Sequence, residues 1–212
     1  GKPEYKTTAL KALVFVLTKH KQENGTHLYH SYKNGEAKHP AFFDDYALLI
    51  EALLEVYQIT FDKNWLRKAD EYTRLVINEF WDPEQQLFYF TAAEQTDIVL
   101  RKKSLYDSAT PSGNSTMVLN LKKLAIALDK SAYAEQATQM LLTLQDSIKK
   151  YPQSFSRWAN AVVPMVHPYK EIAVVGDDYD KVTKEIYQHF IPNAFLMASS
   201  QADDSLPLLA GR

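Results

Sequence analysis

The chain has 212 residues, 46% of them hydrophobic and 12% aromatic, enough to fill the core of one generous domain. Its 24 basic and 26 acidic side chains leave a formal net charge of -2, which excludes a basic face built to follow a nucleic-acid backbone or an anionic membrane. Cysteine is absent, so disulfides, thiolate metal sites and thiol catalysis are excluded within these residues, a composition that suits a reducing, cytoplasmic compartment. No run reaches the ~20 uninterrupted apolar residues of a membrane-spanning helix, so a soluble protein is expected. Gly1 before Lys2-Pro3-Glu4, without an initiator methionine, reads as a processed or engineered start, and the chain is treated as a fragment of something larger.

Leu10, Leu13, Val14 and Leu17 recur at helical spacing between Pro3 and His20, and Asn24-Gly25 supplies a stop, which predicts a first helix. His27 to Tyr32 followed by Asn34-Gly35 reads as a strand and turn, after which His39-Pro40 is expected to hold the chain extended as far as Asp44 and Asp45. From Tyr46 to Ile59 nearly every residue is apolar, with Glu51, Glu55 and Gln58 in one narrow stripe, so this helix is expected to be buried almost all round. From Asp62 to Phe80 the apolar residues Trp65, Leu66, Ala69, Tyr72 and Val76 share one face and charged residues cover the other, which predicts an exterior helix.

Strand-like Leu87 to Thr91 follows Asp82-Pro83, and a connection from Asp97 to Asp107 leads into an interior helix through Met117, Leu121 and Leu124, charged only at Lys122 and Lys123. Tyr133, Ala137, Met140, Leu144 and Ile148 predict another one-sided exterior helix. Pro152 is expected to open a sixth helix through Trp158 and Val166, with Pro164 bending its end. In the tail, Glu171 to Val175 reads as a buried strand, Tyr179 to Phe190 as a helix and Ala194 to Ala198 as a second strand, a small βαβ unit. Gly176-Asp177-Asp178 lacks the further glycines of a phosphate loop, so no nucleotide is assigned. Exterior and interior helices alternate, with long strand-bearing links before the interior ones. That pattern predicts a mainly α fold, either an α/α toroid or solenoid or a simple up-down bundle.

Two polar clusters, Phe43-Asp44-Asp45-Tyr46-Ala47 and Asp107 to Ser115, each sit where a long loop runs into an apolar helix. If the two helices lie parallel, three carboxylates, two tyrosines and several hydroxyl and amide groups meet at one rim. Asp44 and Asp45 are either an acid and base with separated pKa values or helix caps. Asp107 is the best catalytic candidate, because Thr110 and Pro111 already suit the N-cap and N1 positions of the next helix. Ser112 and Asn114 either present hydroxyl and amide groups to a sugar or, with Gly113, form a tight helical entrance. Arg101 and Lys103 either hold an acidic sugar or pair with the rim aspartates. Tyr46 and Tyr106 either stack on a sugar face or belong to the core. His27, His30 and His39 share the first long loop in no standard metal spacing, so no metal is assigned and no cofactor is implied, while His39 stays a substrate-binding candidate.

Phe-Asp-Asp-Tyr-Ala at 43–47, Asp-x-Ala-x-Pro-Ser-Gly-Asn-Ser at 107–115 and the closing Ser205-Leu206-Pro207-Leu208-Leu209 resemble the spermatogenesis-associated, thioredoxin-domain-containing proteins. The nine-residue motif is the more specific, and the resemblance covers most of the chain in order. It implies a partial (α/α)6 toroid of about three helical hairpins over residues 1–168, with short β-hairpins in the rim loops, and a small βαβ segment packed on it over 169–212. It also implies a thioredoxin-like domain and an upstream toroid half lying outside this chain. By similarity to N-acylglucosamine 2-epimerases and glycoside-processing toroids, the expected function is sugar epimerase, isomerase or glycosidase-like acid/base chemistry. Asp107 and one of Asp44 or Asp45 then act on a carbohydrate, and the loop histidines invite comparison with an epimerase acid/base pair. The alternative is a non-catalytic ligand-binding or docking scaffold for the thioredoxin-like domain. A half-ring is expected to self-associate through its open edges.

Overall fold

The computed structural model describes residues 2–23, 25–95 and 98–211, which places the expected stop at Asn24 and the loop start at Asp97 outside the described residues. Within them run helices α1 (Pro3–Lys19), α2 (Phe43–Thr60), α3 (Lys63–Phe80), α4 (Gly113–Leu128), α5 (Ser131–Lys150), α6 (Ser156–Val166) and α7 (Tyr179–Ile186). Strands β1 (Tyr29–Lys33) and β2 (Glu36–Pro40), and β3 (Trp81–Asp82) and β4 (Leu87–Phe88), form two antiparallel pairs, one in each link leading to α2 and α4. β5 (Lys170–Val175) and β6 (Ala194–Ser199) pair in parallel, with α7 as their crossover.

Two tight antiparallel hairpins organise the layers. α2 ends on Phe61 and α4 on Asp129, each in the left-handed region at φ 55° and 50°, which turns the chain at once into α3 and α5. Asp62 caps α3 by accepting from the Asn64 N–H at 3.0 Å. α2 packs on α3 and α4, and α4 in turn on α5 and α6. α2 and α4 run parallel, since Gly113 bonds Asp44, Asn120 donates 2.8 Å to the Ala47 carbonyl and Lys123 pairs with Glu55 further along. Phe43, Tyr46, Ile50 and Leu54 of α2 and Met117, Leu121 and Leu124 of α4 fill the core between the layers. The structure is thus mainly helical with three small sheets, and no helix of the described residues is long and apolar enough to cross a membrane.

The βαβ unit rests on the far end of α2. Phe195 stacks on Tyr57, Leu196 N–H and the Tyr187 hydroxyl reach the side chain and carbonyl of Gln58, and Lys63 pairs with Asp203 at 2.6 Å.

Several local expectations are corrected. His39 has φ 62° instead of extended backbone, which breaks its pairing opposite His30 within an otherwise regular β1–β2 ladder. The second strand-like stretch pairs only over Leu87 and Phe88, because the chain beyond it bonds to other partners, Phe90 N–H to the Lys102 carbonyl and Tyr89 N–H to the Phe80 carbonyl. Pro152 opens a 3-10 turn through Phe155, so α6 begins only at Ser156 and carries Pro164 inside it. The N-cap of α4 is Ser112, whose Oγ accepts from Ser115 N–H at 3.2 Å, and Thr110 and Pro111 stay outside the helix.

Candidate functional site

The N-termini of α2, α4 and α6 meet at one rim, and the backbone N–H groups orphaned there explain where its carboxylates go. Asp44 Oδ1 accepts from Gly113 N–H at 3.1 Å across the two parallel helices. Burial pushes the Asp44 carboxyl up to about 6, against the lowering effect of the Gly113 N–H and with a small addition from Asp45. Asp45, one residue on, points to the other side. Its Oδ2 accepts from Phe42 N–H and lies 2.8 Å from His30 Nδ1, so it caps α2 from the N3 position and orients an imidazole.

Asp107 is the most heavily engaged of the three. Oδ1 accepts from Ser112 N–H at 3.0 Å and from the Ser115 hydroxyl at 2.8 Å, while Oδ2 accepts from Arg157 N–H at 2.8 Å. One carboxylate therefore caps α4 and α6 together. The expectation that Thr110 and Pro111 relieve Asp107 of capping is overturned: Ser112 Oγ takes the Ser115 N–H, Asp44 takes the Gly113 N–H, and Asp107 takes the Ser112 N–H and, at α6, the Arg157 N–H.

The other rim candidates divide by what they touch. Asn114 is fully buried, accepts from Phe88 N–H at 2.8 Å and donates to the carbonyls of Phe88 and Ser104, so its amide acts as a strand partner for β4. Tyr46 is buried, its hydroxyl accepts from Leu28 N–H at 3.0 Å, and burial pushes its phenol up to about 12. Tyr106 is exposed and lies against Phe155. Arg101 donates to the Thr91 and Glu79 carbonyls and lies 4.0 Å over the Tyr89 ring. Lys103 sits 3.7 Å over the same ring and pairs with Asp82, holding that carboxyl well below its ordinary range, so neither cation pairs with a rim aspartate. His39 is exposed beside His30, Phe42 and Gln95 in a shallow cleft. The His30–Asp45 pair is the contact that the sequence does not announce, since it depends on the register of β1 against β2. Among the described residues no three side chains of metal-ligating type converge.

A cavity lies beside the rim. A groove of about 590 Å³ runs between α1 and α2, walled by Leu13 and Val16 of α1 and by Leu48, Ala52, Val56 and Ile59 of α2, with His30 and Asp45 at one end.

No protein-family model matches the chain. It is similar to spermatogenesis-associated protein 20 of Rattus norvegicus, 28% identical over 179 residues that cover 80% of this chain and 23% of that protein. The proteins of the same name from Mus musculus and Homo sapiens are each 27% identical over the same length and with the same coverage. These relatives support the resemblance carried by the two rim motifs. The chain spans about a quarter of their length, 23% in each case.

Chemically, the rim offers one carboxyl that is partly protonated near neutral pH, Asp44, and one imidazole oriented by a carboxylate, His30. Asp107 and Asn114 hold the frame that positions them.

Proposed function

We propose that this chain is a helical docking scaffold, part of a larger α/α ring, whose α1/α2 groove receives an apolar helix from the remainder of a longer polypeptide. The observation that carries this reading is the open face of α2. Leu48, Ala52, Val56 and Ile59 line the groove at helical spacing, and Leu48 and Ile59 remain 39% and 41% exposed although the other sides of α2 are sealed by α3 and α4. α4 already shows the fit of a parallel helix against α2, and a helix about 10 Å across suits a groove of this kind. Relatives about four times longer than this chain leave room for such a helix and for the thioredoxin-like domain that the motif resemblance implies.

The test compares the 212-residue chain with its full-length parent, each carrying Leu48→Asp and Ile59→Asp. The scaffold reading expects the substitutions to leave the melting temperature of the short chain nearly unchanged and to lower that of the parent by several degrees. Equal responses in the two would remove it.

A second reading rests on Asp44. Its carboxyl at about 6 suits a general acid on a carbohydrate, with the Asp45-oriented His30 on the other side of the α2 entrance as base and Asp107 as a positioning residue. A turnover screen of the parent against neutral, amino and acidic sugars decides it: activity abolished by Asp44→Asn in a folded protein supports this reading, and activity untouched by Asp44→Asn removes it.

A further inference from the structure

The sheet of the βαβ unit has one closed edge and one open edge. In a parallel pair each strand bonds to its neighbour through alternate residues and turns the backbone groups of the others outward. Lys170 N–H donates to the Asn193 carbonyl at 2.6 Å and Gly176 N–H to the Ser199 carbonyl at 3.1 Å, so Ile172 and Val174 between them also face β6. Glu171, Ala173 and Val175 therefore face away from it, and among the described residues no other backbone group takes their N–H and carbonyl groups. On the opposite edge the Leu196 N–H of β6 donates to Gln58 Oε1 at 3.3 Å, so α2 closes that side.

β5 nevertheless has the sequence of an interior strand. Ile172 to Val175 is an unbroken apolar run, the pattern of a strand covered on both faces. Ala173 and Val175 pack with Phe195 and Met197 on the helical core, and α7 lies over the other face. Yet Ile172 to Val175 stay only half-buried, whereas Phe195 to Ala198 of β6 are buried, and the difference is the open edge. Beyond Glu171 the run has neither charge nor proline, and its register with β6 has no bulge, so the usual devices that blunt an edge are not used there.

We infer that the β5 edge is the pairing site for a further strand, apolar on both faces, contributed by the longer polypeptide. N–H and carbonyl groups that recur at every second residue are matched by an extended backbone, and by neither a helix nor a lipid. The similar proteins, of which this chain covers 23%, have ample further chain to supply it. This edge is separated from α2 by β6, so the inference is independent of the α1/α2 groove.

Amide exchange across residues 170–176, read by fragment mass spectrometry, compares the 212-residue chain with its full-length parent. In the short chain Ile172 and Val174 are expected to exchange slowly and Glu171, Ala173 and Val175 quickly. In the parent those three are expected to slow by about hundredfold or more. Ala173→Pro removes an outward N–H and spares the β5–β6 ladder, so it is expected to shift the melting temperature of the short chain little and to lower that of the parent by several degrees. Fast exchange of the three amides in the parent, or equal Ala173→Pro shifts in the two proteins, would overturn the assignment. Protection in the short chain that rises with its concentration would also overturn it, by giving the edge to a second copy.

Discussion

Gly113 N–H donates to Asp44 Oδ1 at 3.1 Å, a bond that joins the first turns of two parallel helices 69 residues apart in the chain. The contact exists because residue 113 has no side chain: a Cβ there would run into the Asp44 carboxylate and stand 2.9 Å from Phe43 Cδ1 and 3.0 Å from the Asp44 Cα. Backbone and core aromatic ring cannot both retreat from so close a contact. Gly113→Ala is therefore expected to destabilise the chain by about 1–3 kcal/mol, the usual cost of overpacking, despite the better helix propensity of alanine. Urea unfolding checks this through a lowered midpoint at constant slope.

Burial of the same carboxyl, which outweighs the Gly113 bond, sets a pH dependence. Asp44 is raised from 3.8 to about 6, so the folded chain holds its proton more tightly than the unfolded one. Between those values stability falls as pH rises, the opposite sign to Asp82 and Asp203, whose depressed carboxyls contribute stability that is lost as pH falls. Asp44→Asn is expected to remove the Asp44 contribution and make the variant gain on wild type as pH rises from about 4 to about 6. Unfolding free energies of the two proteins at both ends of that window provide the check, and a constant difference would count against a raised Asp44.

Asp107 makes three bonds to two helices, so its removal acts on both. Asp107→Ala uncaps α4 and α6 together and is expected to cost about 2–3 kcal/mol, more than an ordinary single cap. Amide exchange separates this from a loss confined to the rim loop: Arg157 N–H, at the start of α6, is expected to exchange faster in the variant, together with Ser112 N–H.

Much of the frame is legible in the chain because periodicity is local. Trp65, Leu66, Ala69, Tyr72 and Val76 mark the buried face of α3 without any knowledge of its partners, and the paired motifs at 43–47 and 107–115 mark two helix entrances at one rim. Which N–H each carboxylate takes is not local. Asp107 reaches Arg157 and Asp45 meets His30 only after α6 and the β1–β2 hairpin have docked. His39 also defies the extended tendency of a residue before proline, because the end of β2 must turn into α2 within three residues. Helix entrances can thus be read from sequence, while the bond that makes a carboxylate a cap or a free acid depends on tertiary packing.

Asn114 tests that dependence most sharply. Its amide oxygen faces Phe88 N–H, and its nitrogen faces the carbonyls of Phe88 and Ser104, all in a fully buried setting. Asn114→Ala leaves three polar backbone groups without this partner and is expected to cost about 2–4 kcal/mol. Asn114→Asp keeps the acceptor for Phe88 N–H but turns a second oxygen toward two carbonyls, so at neutral pH it is expected to be worse than alanine. A protonated aspartic acid restores one donor, and the aspartate variant is therefore expected to overtake the alanine variant in acid. Melting curves of both variants at neutral and acidic pH check this ordering. Aspartate more stable than alanine at neutral pH would mean that the side-chain nitrogen of residue 114 does not face those carbonyls.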